Sequence, residues 1–472
     1  MAEAAALAKS QRGAMVAAAG FGKTHVIAKA VAEHGGAREL ILTHTHAGVE
    51  AIRKRLAKMN VPAKAFHVDT IAGWALRLAT AFPQTSALNT LHPRNNKEYL
   101  SIYESARLLI HLKPIREIMH ASYSGVYVDE YQDCSLAQHM LVSALLDVLP
   151  CRIVGDPLQG IFDFGDNEPI QWKQHVDPLF EVVGGPNTAW RWAKSNPELG
   201  EWLRYVRDML FRGKEISLKG APVAWVDGSN PKYKLGNQLK ACFEMAGDSK
   251  SVIAIHQMPN QCQFIASRLK SRYSCVEAIE LDELYDYASR IEESHGYDRA
   301  LAVLDFAGTC MTAVKSKLGT IRQALVEKRM PKVKTHMPQL KALLDICEED
   351  SLAPVIPALY TLIQVPDAHL YRRELLREME RAIGAVLSCD SANLPDAAWL
   401  VRNRTRRLGR LLSRCTVGTT LLIKGLEFDH AIVLDADNYN ACNLYVALTR
   451  GSKSLTIVSK SKCLQPQRPV KR

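Results

Sequence analysis

Short, strongly apolar runs alternate with amphipathic stretches through the first part of the chain. GAMVAA (Gly13 to Ala18) reads as a buried strand, and KTHVIAKAVAEHG (Lys23 to Gly35) as a helix with apolar residues at helical spacing. Comparable runs near Met15, Ile41, Phe66, Val126 and Ile153 predict a parallel α/β sheet reaching from the N-terminus to about Gly185. A short insertion, polar and then helical, interrupts it between Phe82 and Met119. A second α/β pattern begins near Pro186, shows a strand and helix in SVIAIHQMPNQCQFIASRLK (Ser251 to Lys270), and resumes with CTVGTTLLIKG at Cys415. From about Leu281 to Arg414 the periodicity is helical almost throughout, as in HLYRRELLREMERAIGAVL (His369 to Leu387). The expected organisation is a first lobe over 1–185, a second lobe over 186–280 and 415–472, and an all-helical insertion over 281–414 within the second lobe.

The turn between the first strand and helix carries candidate chemistry. In AAAGFGKT (Ala17 to Thr24), Gly20 and Gly22 let backbone N–H groups curl around phosphate oxygens at a helix N-terminus. Lys23 is placed to reach the β- and γ-phosphates and the Thr24 hydroxyl to ligate Mg²⁺, with Ala17 standing at the first glycine position of the usual pattern. Further on, SGVYVDE (Ser124 to Glu130) runs β-branched and apolar into two adjacent acids, the carboxyl end of a buried strand. Asp129 is the candidate for holding Mg²⁺ and Glu130 for orienting or deprotonating a water; paired acids that are merely solvated are the alternative.

These strings resemble those of the superfamily-one DNA helicases of the UvrD, Rep and PcrA type. DEYQD followed by Gln138 is similar to their second motif, and IVGDPLQGIF (Ile153 to Phe162) to their third, which implies a γ-phosphate-sensing role for Gln159. ILTHTHAGVEAIRKRL (Ile41 to Leu56) is similar to their motif Ia, and TAWRW (Thr188 to Trp192) stands where the family has an Asn-Tyr-Arg string. The resemblance places Trp190 against adenine and Arg191 on the γ-phosphate, whereas Trp192 reads as core. LIKGLEFDHAIVL (Leu422 to Leu434) resembles the fifth motif, with Glu427 near the ribose, and YVALTR (Tyr445 to Arg450) the sixth, with Arg450 as arginine finger.

The resemblance implies two RecA-like P-loop NTPase lobes, ATP and Mg²⁺ as nucleotide and cofactor, and 3′-to-5′ movement along single-stranded DNA or DNA with single-stranded tails. Lys23, Glu130, Gln159, Arg191 and Arg450 are then the expected catalytic set. Ala17, Gly20, Gly22, Thr24, Trp190 and Glu427 complete the nucleotide site, and Thr24 and Asp129 the metal site. DNA contacts are expected from Thr43, His44, Thr45, Thr70 and Phe164. Where the family has Thr-Phe-His-Ser in motif Ib, this chain has Thr70, Ile71, Ala72 and Gly73, and rings at Phe164 and His44 replace the family's stacking Trp and Phe. Only sixteen residues precede Ala17, and Gln11 lies too close to serve as the family's adenine-reading glutamine.

A second reading changes the class of function. The chain also resembles the compact UvrD-like subunits that accompany OLD-type nucleases in Gabija-like antiviral systems, most of all in GLEFDHAIVLDADNYN (Gly425 to Asn440). That implies a nucleotide- and DNA-sensing regulatory subunit with a partner nuclease and little unwinding of its own, in place of a repair-type helicase.

Composition agrees with either reading. Lys and Arg number 60 against 49 Asp and Glu, a net charge of +11, which suits a polyanionic partner. The eleven cysteines show no CxxC, no run approaches a membrane span, and MAEAAALAKSQR lacks a long apolar core; a reduced, cytoplasmic setting is expected. VRNRTRRLGRLLSR (Val401 to Arg414) holds six arginines and no acid. It suits either phosphate contact or a helix face paired with acids elsewhere.

Overall fold

The computed structural model describes residues 2–33, 38–86, 88, 93, 96–162, 168–245, 251–278, 281–330, 332–408 and 412–466. Two compact units account for the chain: Met1–Pro222 with Tyr439–Lys453 and Gln465–Arg472, and Val223–Asn438 with Ser454–Leu464.

The first unit is built on a six-stranded sheet of β1 (Arg12–Val16), β2 (Glu39–Thr43), β3 (Phe66–Thr70), β4 (Gly125–Val128), β5 (Cys151–Gly155) and β6 (Glu181–Val183), in the order β3-β2-β4-β5-β1-β6. Every pairing in it is parallel. Such a sheet needs cover on both faces, and the strands meet this need by alternation. Ala14, Leu40, Leu42, Val126, Val128 and Ile153 point into one core with Trp74, Leu109 and Leu141. Met15, Ile41, Val68, Tyr127 and Val154 point into the other with Leu7, Ile27 and Ile52. Each of these large side chains contributes roughly 1.5–3 kcal/mol by burial, so a one-residue slip of any central strand would cost several of them together. The covering helices are α1 (Ala2–Lys9), α2 (Lys23–Glu33), α3 (His46–Lys58), α4 (Ile71–Ala81), the insertion helices Pro83–Ser86, Asn96–Ile110 and Lys113–Ser122, and Leu136–Leu146.

The second unit has its own six-stranded sheet, in the order Ser274–Cys275, Cys415–Gly418, Val252–Ile255, Phe428–Val433, Gly451–Ser459, Ala224–Asp227. Between Ser274–Cys275 and Cys415–Gly418 the chain is helical, from Asp282–Glu293 to Leu394–Leu408. These helices close on one core that includes Val303, Phe306, Leu343, Leu359, Leu375 and Met379. The expected α/β class with two RecA-like sheets and an all-helical insertion is therefore present.

Two details depart from expectation. Residues 186–222 pack with the first unit, because the helix Pro197–Phe211 buries Leu199, Leu203, Val206 and Leu210 there. The Tyr439–Lys453 segment, expected in the second lobe, joins the same unit, and its helix Ala441–Leu448 packs on Pro197–Phe211 and on the turn Pro157–Gln159. In the arginine-rich stretch, Arg402 is buried and donates to both Glu374 and Glu378, so this guanidinium serves packing. Arg372 is likewise held by Glu277 at 2.6 Å inside the second unit. Among the described residues, no helix is long and apolar enough to cross a membrane.

Candidate nucleotide site

The site residues of the first unit gather beyond the carboxyl ends of its strands, on the loops that leave the ladder there. β1 ends at Val16 and leads into the phosphate-loop turn; β4 ends at Val128 and leads into Asp129 and Glu130; β5 ends at Gly155 and leads into Asp156 and Gln159. Since β5 lies between β1 and β4, the three loops are neighbours.

The turn is shaped by two glycines. Gly20 has φ +75°, and a Cβ there would lie 2.7 Å from the Trp192 ring. Gly22 has φ +91°, also closed to L side chains without strain. Trp192 is fully buried and donates its indole N–H to the Gly451 carbonyl at 2.8 Å, which accounts for its reading as core. The Arg191 N–H donates to the Gly20 carbonyl at 3.1 Å, so the TAWRW turn backs the phosphate loop. Trp190 stays 63% exposed beside Gly22, where a flat ligand could lie on it.

Lys23 opens α2, is buried, and donates to the Ala17 carbonyl at 3.3 Å. The Thr24 hydroxyl donates to Asp129 Oδ2 at 2.9 Å. Burial raises the Asp129 pKa to about 7, with Glu130 adding to the effect, while Lys23, Thr24 and the Glu130 N–H oppose it. A nearly buried carboxylate so disfavoured as an anion is suited to a cation. Among the described residues no cluster of three metal-ligating His, Cys, Asp or Glu exists, so Thr24 and Asp129 fit Mg²⁺ only with phosphate and water oxygens completing the shell.

Glu130 adopts a left-handed backbone, φ 55°, directly after the strand. A non-glycine residue held there carries local strain, of the kind that clusters where a side chain must be aimed. Its carboxylate accepts from Gln132 Nε2.

Arg450 sits at the end of helix Ala441–Leu448 in the same unit as Lys23. Its guanidinium is 1% exposed and donates to the Val446 carbonyl at 2.8 Å and the Thr449 hydroxyl at 3.0 Å. Arg191 donates to the Thr449 carbonyl at 2.7 Å. Tyr445, from the same helix, accepts the Ala19 N–H of the phosphate loop. Gln159 donates to Asp156 at 3.2 Å.

Of the expected DNA contacts, Thr45 and Thr70 cap α3 and α4, accepting from Gly48 and Gly73 N–H at 3.1 and 2.9 Å. A capping hydroxyl keeps its own proton to donate. Thr43 is buried at the end of β2, and His44 approaches Cys134 at 3.6 Å. Phe164 lies outside the described residues. Glu427 is exposed in the second unit. Sequence reasoning missed Tyr445, Gln132, Asp156 and Arg207, each of which touches a site loop; Tyr445, Gln132 and Asp156 lie inside strings already singled out, but nothing in their spacing marks a partner.

Residues 95–174 match the family model described as the UvrD/REP helicase N-terminal domain. That span takes in Asp129, Glu130 and Gln159 and lies within the first unit. No curated protein matches the sequence. Among solved structures, the Escherichia coli DEAH/RHA helicase HrpB is similar over 60% of this chain and 31% of its own length, at 14% identity and a TM-score of 0.31.

Proposed function

We propose that the protein is an ATP-driven translocase or helicase of UvrD type acting on single-stranded DNA or tailed duplex, with 3′-to-5′ polarity. The observation that carries this reading is that the phosphate-loop turn after β1 and the acids after β4 meet across the end of β5, where Thr24 donates to Asp129. In it, the phosphate loop and Lys23 bind the β- and γ-phosphates, and Trp190 carries the base. Thr24 and Asp129 hold Mg²⁺, which when bound neutralises charge on the phosphate oxygens. Glu130 orients the attacking water and takes its proton. Gln159 reads the γ-phosphate, and Arg191 and Arg450 exchange their carbonyl partners for it, placing positive charge where negative charge develops. In the same reading Thr43, His44, Thr45, Thr70 and Phe164 are the residues that serve the DNA strand, and Glu427 serves the ribose.

ATP turnover with and without single-stranded DNA tests this. Stimulation that weakens with salt is expected, and Glu130→Gln should lower kcat by about 10²- to 10⁴-fold while nucleotide binding persists. Parent-like turnover of Glu130→Gln would remove the assignment. Strand displacement on tailed duplex separates the two roles: unwinding by the isolated protein supports the helicase, and ATPase without unwinding supports a sensing subunit that works with a nuclease.

A further inference from the structure

The Gln132 side chain bridges two loops of the site. Its carbonyl oxygen accepts the Asp156 N–H at 2.8 Å, and its Nε2 donates to Glu130 Oε2. A backbone N–H can only donate, so the amide has a single allowed orientation and its N–H₂ must face the carboxylate. Space has been left for it: a Cβ on Gly155 would fall 2.7 Å from Gln132 Oε1. Gln132 itself is buried, so the amide has little solvent to turn towards.

The far end of the bridge is anchored as well. The Asp156 carboxylate, fully buried, accepts from Gln159 Nε2 at 3.2 Å and from Arg207 Nε and an Arg207 terminal nitrogen at 3.3 and 3.1 Å. Burial works against the Arg207 charge, but Asp156 outweighs it and the net shift of Arg207 is upward. A continuous chain thus runs from Glu130 through Gln132 and Asp156 to Gln159 and Arg207. Its members come from the ends of two neighbouring strands and from the helix Pro197–Phe211.

We infer that Gln132 is a positioning residue that aims the Glu130 carboxylate and ties it to the loop carrying Gln159. This rests on Glu130 acting as the base of nucleotide hydrolysis. A left-handed backbone at Glu130 sets the direction of its Cα–Cβ bond but leaves the carboxylate several rotamers, and the Gln132 amide selects one. Because the same amide is held by Asp156, a shift of the Gln159 loop moves the base with it.

Gln132→Glu separates this role from a structural one. The new carboxyl has the same size and can still accept the Asp156 N–H, but against Glu130 it either repels that carboxylate or shares a proton with it, so the neutral amide donor that fixes Glu130 is lost. The expected result is a kcat about 10- to 100-fold below the parent with KM for ATP near the parent value, and a lower Tm because a carboxylate is buried against Glu130; Gln132→Ala should show the same loss of kcat with KM likewise kept. Full kcat in Gln132→Glu would overturn the inference, as would a kcat loss in both variants accompanied by a KM change of the same size. Glu130→Gln measured alongside keeps the two claims apart. If it is inactive while Gln132→Glu is not, only the positioning role falls; if it turns over normally, the choice of base falls too and takes the inference with it.

Discussion

The hydroxyl oxygen of Tyr445 accepts the backbone N–H of Ala19 at 3.0 Å, joining residues 426 positions apart. Both are buried, so this N–H has no access to water as a substitute partner. Burial, then the Asp156 charge, holds the phenol protonated far above neutral pH. The phosphate loop is thereby fastened to the helix that carries Arg450.

Tyr445→Phe removes the acceptor and leaves the Ala19 N–H unpaired. A stability loss of about 1–3 kcal/mol is expected, measured by denaturant unfolding of the nucleotide-free protein. ATP should recover part of it, since ligand binding stabilises only the folded state. An unchanged midpoint without nucleotide would show that the contact contributes nothing.

Arg450→Ala should reduce ATP turnover by about 10³-fold or more, the usual contribution of an arginine finger, with nucleotide affinity largely kept. Its guanidinium is bound to the Val446 carbonyl and Thr449 hydroxyl, so the proposed role requires it to turn outward. Arg450→Lys, which cannot span two acceptors in the same fork, should also be slow. Comparable rates for parent and both variants would defeat the assignment.

His139 sets an acid limit on the first unit. Burial, and then the nearby His175 charge, lower its pKa from 6.5 to about 4, and its Nδ1 lies 2.8 Å from the Tyr131 hydroxyl. Between about pH 6.5 and 4 the unfolded chain binds this proton and the folded chain does not. Stability from this group is therefore complete above pH 6.5 and lost as pH falls towards 4, at no more than about 1.4 kcal/mol per pH unit. His139→Gln should flatten that part of a stability-against-pH curve. A slope identical to the parent's would place the acid sensitivity elsewhere.

Much of the first unit was legible because its signals are local. Strand runs around Met15, Ile41, Phe66, Val126 and Ile153 correspond to β1 to β5, since a buried parallel strand needs a short apolar run whatever its neighbours. β6 (Glu181–Val183) shows no such run; it is three residues long and mostly exposed, leaving little pattern to detect. The arginine-rich stretch was ambiguous for the opposite reason. Whether Arg402 meets solvent, phosphate or acid depends on Glu374 and Glu378 being folded against it.

What the chain order alone determined is the phosphate-loop turn, the acids after β4 and the alternation that buries both faces of the sheet, because each depends on residues within one element or its immediate turn. Tertiary structure decided the rest: that Tyr439–Lys453 packs beside the phosphate loop, that Tyr445 holds Ala19, that Arg450 turns to its own helix, and that Gln132 bridges Glu130 to Asp156. Those contacts join side chains to partners on other elements. A hydrogen bond between distant residues leaves no period or spacing in the sequence, and it exists only once burial has brought donor and acceptor together.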